Sequence, residues 1–392
     1  MDIQRLRAET PGCAERIHLN NAGAALMPAP VVRALQDHVD LESRIGGYEA
    51  EDLRADAVTA AYQSVAQLIG TRSQNIAFTE NATASSIQVL TSIPFARGDA
   101  ILTTRNDYAS SQIQFLSLER RLGVRVVRAP DEAEGGVDVQ AMADLIRRHR
   151  PKLVCVSHVP TNSGLVQDVG AIGSLCRQEG VLYLVDACQS IGQMPIDVRQ
   201  LECDFLSASA RKFLRGPRGA GFLYVSDEVL EKGLAPLFID MKGADWIDEN
   251  QYRPAPDAKR FENWEFAWAL VLATAEAARY AMVIGLEEIQ ARVRALAQQL
   301  RNALSAIDDV RVLDRGRELC GIVSVSIEGR DPRELMAALR ERRINTTAQT
   351  RVSAVIDYED KAVSGSLRLS PHYYNTEDEI DQAVATIREL LP

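Results

Sequence analysis

Two charged residues stand at the ends of neighbouring strand-like runs. Asp186 closes the apolar run VLYLV, and Lys212 follows FLSASA within SARKFLRGPRGAGF. An acid in apolar surroundings can hold a heteroaromatic nitrogen protonated, and a lone amine can condense with an aldehyde. Pyridoxal phosphate carries both partners, and with both engaged its ring is a sink for an electron pair on a substrate carbon. The ends of the other runs carry residue types that would complete such a site. Asn81, Ala82 and Thr83 follow IAFT and would open a helix, offering N–H groups and a hydroxyl to a phosphate. Asp107 and Tyr108 follow DAILTT, where an aromatic could lie flat on a ring. Asn162 and Gly164 follow LVCVSHV, Gln189 follows LYLVDA, and Ser209 and Arg211 immediately precede the lysine.

The elements that must hold these residues are legible as short apolar runs separated by amphipathic stretches: NIAFT, DAILTT, VRVVRA, KLVCVSHV, VLYLVDA, CDFLSASA and GAGFLYV. That alternation predicts a parallel sheet covered on both faces, an α/β doubly wound domain. Ligands of such sheets sit outside the carboxyl ends of the strands, where all these residues fall. The link from FLSASA to GAGFLYV is too short for a parallel crossover, so this last strand is expected to pair antiparallel. A long helical stretch starts near Trp268 and breaks near Gly285. Strands VRVLD, GIVSVSIEG and SLRLS and the helix DPRELMAALRERR follow, and a last helix is capped by Thr376 with Glu377 or Asp378 behind it. The expected division is a large domain over 1–260 and a small α+β domain over 261–392. Residues 1–30 would pack on the small domain, and 226–260 would form an irregular crossing.

Read in order, HLNNAGAALMPAP, ENATAS, SHVPTNSG, VDACQS, SARKFLRGPRGAGF, KRFENWE and LRLSPHYYNTEDEID resemble the class V aminotransferases. This fold type I group of pyridoxal-phosphate enzymes includes cysteine desulfurases, selenocysteine lyases and isopenicillin N epimerase. The resemblance implies that Lys212 forms the Schiff base with the cofactor and then shuttles a proton. It gives Asp186 to the ring nitrogen, Gln189 to the ring hydroxyl, and Asn162 or Thr161 to the same oxygen. Tyr108 stands where the desulfurases stack a histidine, and a phenol is the poorer base at neutral pH. Ala82, Thr83, Ser209 and Arg211 would form the phosphate cup, with arginine in place of the family's histidine before the lysine. The motif RFExGT, whose threonine reaches the partner subunit's phosphate, reads RFENWE here, with Asn263 as the candidate substitute. Arg368 matches the arginine that clamps the substrate α-carboxylate, and Asn21 and His372 join it on the substrate side. His372 reads equally as a capped loop histidine, and His158 as a core histidine. The implied assembly is a homodimer.

The reaction turns on what leaves the substrate. Desulfurases carry a persulfide-forming cysteine on the loop before the carboxylate arginine, because sulfur must be attacked by a thiolate. The equivalent stretch here, NTTAQTRVSAVIDYEDKAVSGSLRLS, has none, and Cys320 lies in a strand-like run. The favoured reading is therefore a C–S lyase acting on a small cysteine-type amino acid by β-elimination. The alternatives are an aminotransferase or an amino-acid epimerase or racemase, and remotely a protein that keeps the fold without catalysis. Arg44 and Arg351 are candidate contacts for a second acidic group on the substrate. A net charge of −10 argues against a nucleic-acid footprint. Six scattered cysteines without CxxC suggest neither a metal site nor a disulfide framework. No secretory signal or membrane segment is read, so the expected location is cytoplasmic.

Overall fold

A computed structural model describes residues 1–391. Seven strands form the larger sheet: β1 (Ile76–Thr79), β2 (Ala100–Thr103), β3 (Arg125–Arg128), β4 (Leu153–Ser157), β5 (Leu182–Asp186), β6 (Phe205–Ser209) and β7 (Gly221–Val225). Their order across the sheet is β1-β7-β6-β5-β4-β2-β3. Six run parallel, and β7 pairs antiparallel with both neighbours, because residues 210–220 hold no helix that could carry the chain back.

Consecutive strand residues point to opposite faces, and both faces are covered, which is why the strands read as unbroken apolar runs. Phe78, Val154, Val185, Leu206 and Phe222 share one core with the helices α1 (Ala29–Ile45) and α2 (Ala55–Leu68). Their chain neighbours Ala77, Leu153, Leu184, Phe205 and Leu223 pack on the other face, against α3 (Ala82–Ser92) and α4 (Ala109–Leu122). The crossover helices α5 (Val139–His149) and α6 (Val169–Glu179) add Met142, Ile146, Ile172 and Cys176 to the first core.

The long helical stretch is two helices, α7 (Trp268–Ile284) and α8 (Leu286–Ser305), bent by 81° at Gly285, whose φ of +97° an L side chain rarely adopts. Alanine-rich α7 is buried in the core of the large sheet, whereas Leu296, Leu300 and Leu304 of α8 belong to a separate core. Ile289 and Val293 in the first half of α8 still pack with the large sheet, so α7, which lies beyond the expected 260/261 boundary, belongs to the large core, and the change of core falls within α8 between Val293 and Leu296. The second core covers a four-stranded antiparallel sheet of β8 (Val310–Val312), β9 (Val323–Ile327), β10 (Thr347–Thr350) and β11 (Gly365–Leu369), in the order β8-β9-β11-β10. Helices α9 (Pro332–Glu341), α10 (Val355–Asp360) and α11 (Glu377–Glu389) complete it. Thr376 caps α11 through a capping box with Glu379, not with Glu377 or Asp378, since the reciprocal bond needs the third helical residue.

The N-terminal segment joins this smaller unit by pairing Ile17–His18 in parallel with Ile344–Asn345, then crosses to the lysine loop, where the Ala25 N–H donates to the Arg211 carbonyl at 2.8 Å. Segment 226–260 is more regular than expected: it holds a hairpin of Ala244–Asp248 with Gln251–Pro254. Among the described residues no single helix is long and apolar enough to cross a membrane; α7 and α8 meet that test only as a bent pair.

Candidate active site

Asp186 ends β5, and its Oδ1 accepts the Cys188 N–H at 2.9 Å, which fixes the carboxylate in the turn that follows. Lys212 lies three residues beyond β6 in a tight loop closed by Gly216 N–H to Ala210 O and Arg215 N–H to Lys212 O, each 2.8 Å. The two strand ends are neighbours because β5 and β6 pair in register, Asp186 opposite Ser207. Both side chains line one cavity of about 240 Å³, together with Thr83, Tyr108, Ser209 and Arg211.

Burial sets the electrostatics of this cavity. Lys212 is buried, and desolvation lowers its pKa against the attraction of Cys188 and Asp186, with Arg211 and Arg368 lowering it further. Its Nζ lies 5.7 Å from the Tyr108 ring centroid. Tyr108 is held from behind by Asp107, a buried carboxyl that accepts the Thr104 N–H at 2.7 Å and the Thr104 hydroxyl at 3.0 Å, and also the Thr103 hydroxyl. The Tyr108 N–H donates to Ser157 Oγ on β4 at 3.2 Å. Asp107 thus ties the β2–α4 turn to the sheet, and burial raises its pKa despite those bonds.

At the opposite end of the cavity α3 begins. Asn81 caps it by accepting the Ala84 N–H at 3.0 Å, and the Ala82 N–H donates to Ser209 Oγ at 3.1 Å. Ser209 and α3 are thereby joined into one cup, with the Ala82 N–H already engaged and Thr83 at its wall.

The small domain contributes Arg368 on β11. Its Nη1 donates to the Thr161 carbonyl at 2.8 Å and hydroxyl at 2.9 Å, and Nη2 to Asn20 Oδ1 at 3.4 Å. Gln189 Nε2 donates to the same Thr161 hydroxyl at 3.0 Å and to Ala22 O at 3.1 Å. Arg368 faces no carboxylate; burial, with Arg211 nearby, pulls its pKa down to about 10. Two buried atoms here have no partner among the described residues, Arg368 Nε and Gln189 Oε1. Buried polar groups are ordinarily bonded, so this open capacity marks a place for a ligand.

A family model described as Aminotransferase class-V matches residues 17–383. The chain belongs to that family. A probable cysteine desulfurase of Methanothermobacter thermautotrophicus is 30% identical over 398 residues, covering 100% of this chain and 98% of the relative. Another from Pyrococcus abyssi is 27% identical, covering 98% and 97%. Among solved structures, the apo cysteine desulfurase of Thermococcus onnurineus NA1 superposes with a TM-score of 0.90 at 26% identity, covering 99% of this chain and 97% of that one. The cystine C–S lyase C-DES, solved with its reaction product cysteine persulfide, shares the fold with a TM-score of 0.86 at 22% identity, covering 98% and 100%.

The fold is that of the fold type I enzymes, and the cofactor of this class V aminotransferase-family enzyme is pyridoxal 5'-phosphate. The residues present fit it: a buried amine with a lowered pKa, a carboxylate on the adjacent strand end, a hydroxyl-lined helix start, and unpartnered Gln189 and Arg368 atoms.

Several expected roles change. Asn162 does not face the Lys212 cavity: its Nδ2 donates to Asp357 Oδ2 of α10 at 2.6 Å, and Thr161 stands at the Gln189–Arg368 junction instead. Asn21 is fully buried and bonded into the scaffold. Its amide donates to Ser370 O at 2.7 Å and its oxygen accepts the Tyr374 hydroxyl, while Asn20 is the neighbour that reaches Arg368. His372 is a scaffold residue: Nδ1 accepts the Tyr373 N–H at 2.9 Å, so Nε2 carries the proton donated to Phe213 O at 2.8 Å, and burial drives its pKa well down. His158 lies in the core with its pKa lowered to about 4 by burial. Asn263 does not line the cavity of its own chain. Arg351 pairs with Glu359 on the surface, and Arg44 donates to Asp40 O within its own helix.

Sequence reasoning missed Arg215. This fully buried guanidinium donates to Leu26 O at 2.8 Å, to Thr10 Oγ1 at 2.7 Å and to the Tyr373 hydroxyl, and lies 4.4 Å from the Tyr374 ring centroid. It fastens the lysine loop to the N-terminal segment and to the HYYN turn. The available signal was a second arginine in RKFLRGPRG, ahead of two adjacent tyrosines later in the chain.

Proposed function

We propose that this enzyme is a C–S lyase that removes sulfur from a small cysteine-type amino acid by β-elimination, without a persulfide-relay cysteine. The observation that carries this reading is the segment between β10 and β11. It contains no cysteine, and it is docked on the large domain: Asp357 of α10 accepts from Asn162 at 2.6 Å, and Asp360 takes a two-pronged bond from Arg105. Burial also raises the pKa of every remaining thiol, which disfavours a thiolate relay. Burial pushes Cys188, which lines the cavity, up to about 12, and Cys13 and Cys320 up to about 11. Two of the relatives described above carry the name cysteine desulfurase and one neighbour the name cystine C–S lyase, which supports a sulfur-bearing substrate.

When bound, pyridoxal phosphate supplies the sink for negative charge at the substrate Cα. Arg368 holds the α-carboxylate with a planar fork, which orients the Cα–H bond. Lys212, whose pKa burial lowers, would take the Cα proton. Asp186 would keep the ring nitrogen protonated, Gln189 and Thr161 would bond the ring hydroxyl, and Tyr108 would lie against the ring. Thr83, Ser209 and Arg211 would hold the phosphate. Loss of the Cα proton and of the sulfur from Cβ, with uptake of one water, would yield pyruvate, ammonia and hydrogen sulfide from cysteine, or a thiol from an S-substituted cysteine.

Incubation with cysteine, cystine, cysteine sulfoxides and alanine separates the outcomes. Pyruvate formed without an added acceptor is expected. A keto acid formed only with an acceptor would make the enzyme an aminotransferase, and loss of optical purity alone an epimerase. We also read the chain as a cytoplasmic homodimer. Segment 237–252 exposes Leu237, Phe238, Trp246 and Tyr252, more apolar surface than a lone monomer usually leaves in one stretch. Light scattering at the column exit should give twice the chain mass of 43.1 kDa, and a monomer mass would refute it.

A further inference from the structure

The lysine loop continues into GPRGAG, and this stretch runs against the start of α3. A Cβ placed on Gly221 would stand 3.0 Å from the Asn81 Cα and 2.4 Å from the Ala208 carbonyl, so only glycine lets the two backbones approach this closely. The approach puts Arg218 on the wall of the same cavity as Asn81, Ala82, Thr83 and Ser209. Arg218 is exposed and makes no ion pair or side-chain hydrogen bond with any described residue. Most arginines near this site are committed: Arg215 to Thr10 and Leu26, Arg368 to Thr161, and Arg211 through Nη1 to Gly23 O.

Arg211 and Arg218 both border the cavity, and their charges repel: Arg211 has its pKa lowered first by burial and next by Arg218. The acids on the cavity wall are Asp186, bonded to its own turn, and Glu80 at the exposed rim. Two guanidinium groups beside a helix N-terminus, with no carboxylate bonded to either, form a site for a compact polyanion.

We infer that Arg218 is a phosphate ligand of the cofactor, contributed by the same chain as Lys212, so that two arginines rather than one neutralise the phosphate. This rests on the pyridoxal phosphate site described above and adds a residue to it. Arg218 comes from the loop after the lysine and lines the same cavity as Thr83, and its fork suits two phosphate oxygens at once.

The test uses the full chain stripped of cofactor and titrated with pyridoxal phosphate or with pyridoxal, following the visible absorbance of the lysine-linked cofactor. Arg218→Ala should bind pyridoxal phosphate about 10- to 100-fold more weakly, the loss of one charge-assisted contact, and bind pyridoxal as the parent does. Arg218→Lys should fall between them. Inorganic phosphate should protect the parent from pyridoxal phosphate more strongly than it protects Arg218→Ala. Equal affinity of parent and Arg218→Ala for pyridoxal phosphate overturns the assignment, as does an equal loss for both ligands. A parent protein that binds neither ligand would instead fail the cofactor site itself. Because Arg218 is exposed, its removal leaves the fold intact, and unchanged melting of the stripped protein verifies this.

Discussion

Arg368 and His372 are four residues apart, both buried, both bearing nitrogen donors, yet they do opposite work. Arg368 keeps one donor unpartnered and faces no carboxylate, whereas both ring nitrogens of His372 are bonded. The same contrast separates Gln189 from Asn21 and Lys212 from Arg215. Lys212, Arg368 and Gln189 keep hydrogen-bonding capacity open, whereas Arg215, His372 and Asn21 are bonded and hold the loops in place. Since an unmet buried polar group costs about 1 to 3 kcal/mol, the open set is maintained for a ligand, and the saturated set contributes the stability that offsets it.

The largest effect should come from the open set. Lys212→Ala should lower pyruvate release by about 10⁴-fold and abolish the visible absorbance of the loaded protein, with little change in melting. Retained turnover would remove Lys212 from its role. Arg368→Lys keeps the charge and loses the fork, so kcat/KM should fall by about 100-fold, mostly through KM. His372→Gln tests the other side: it should lower Tm and leave KM unchanged. If it raised KM as Arg368→Lys does, the division between open and saturated groups would be wrong at its clearest pair.

The open set was largely legible in the sequence because it depends on local facts. A parallel strand buried on both faces is a short apolar run, and the residue after it is at the carboxyl edge where ligands bind. Asp186, Lys212, Thr83, Tyr108 and Ser209 follow from that rule. The saturated set was not legible, because saturation is decided by distant partners: Asn21 looked free until Ser370 and Tyr374, far along the chain, took both ends of its amide. Between Asn162 and Thr161 the sequence left the choice open; the loop after β4 presents Thr161 to Gln189 and turns Asn162 to α10. Gly285 was legible as a break, whereas the change of core inside α8, after Val293, was not, because it depends on distant packing partners. Arg215 had no expected partner, because its ligands are carbonyl and hydroxyl groups rather than an acid.

Within the saturated set, Arg215→Met should cost about 3 to 5 kcal/mol, since its removal leaves Thr10 and the Leu26 carbonyl without their donor and frees the lysine loop. Denaturant unfolding measures this, and a loss under 1 kcal/mol would show the loop to be held by other contacts.

The smallest effect is also the most specific. Glu262, in RFENWE, accepts the Phe78 N–H at 2.7 Å and the Tyr62 hydroxyl at 3.0 Å, and burial raises its pKa to about 7. An unfolded glutamate titrates near 4.3, so between these values the folded state binds the extra proton. Stability from this group is therefore fully present below about pH 4 and is lost as pH rises through about 7, a change of about 3 to 4 kcal/mol by pH 8. Glu262→Gln copies the protonated acid, with its oxygen for Phe78 and its amide for Tyr62. It should match the parent near pH 4 and exceed it in stability at pH 8, flattening the fall of the parent's stability between about pH 4 and 7. A variant that loses stability equally at both pH values would mean that the folded protein holds Glu262 as a carboxylate, and that saturation at this site depends on charge rather than on shape.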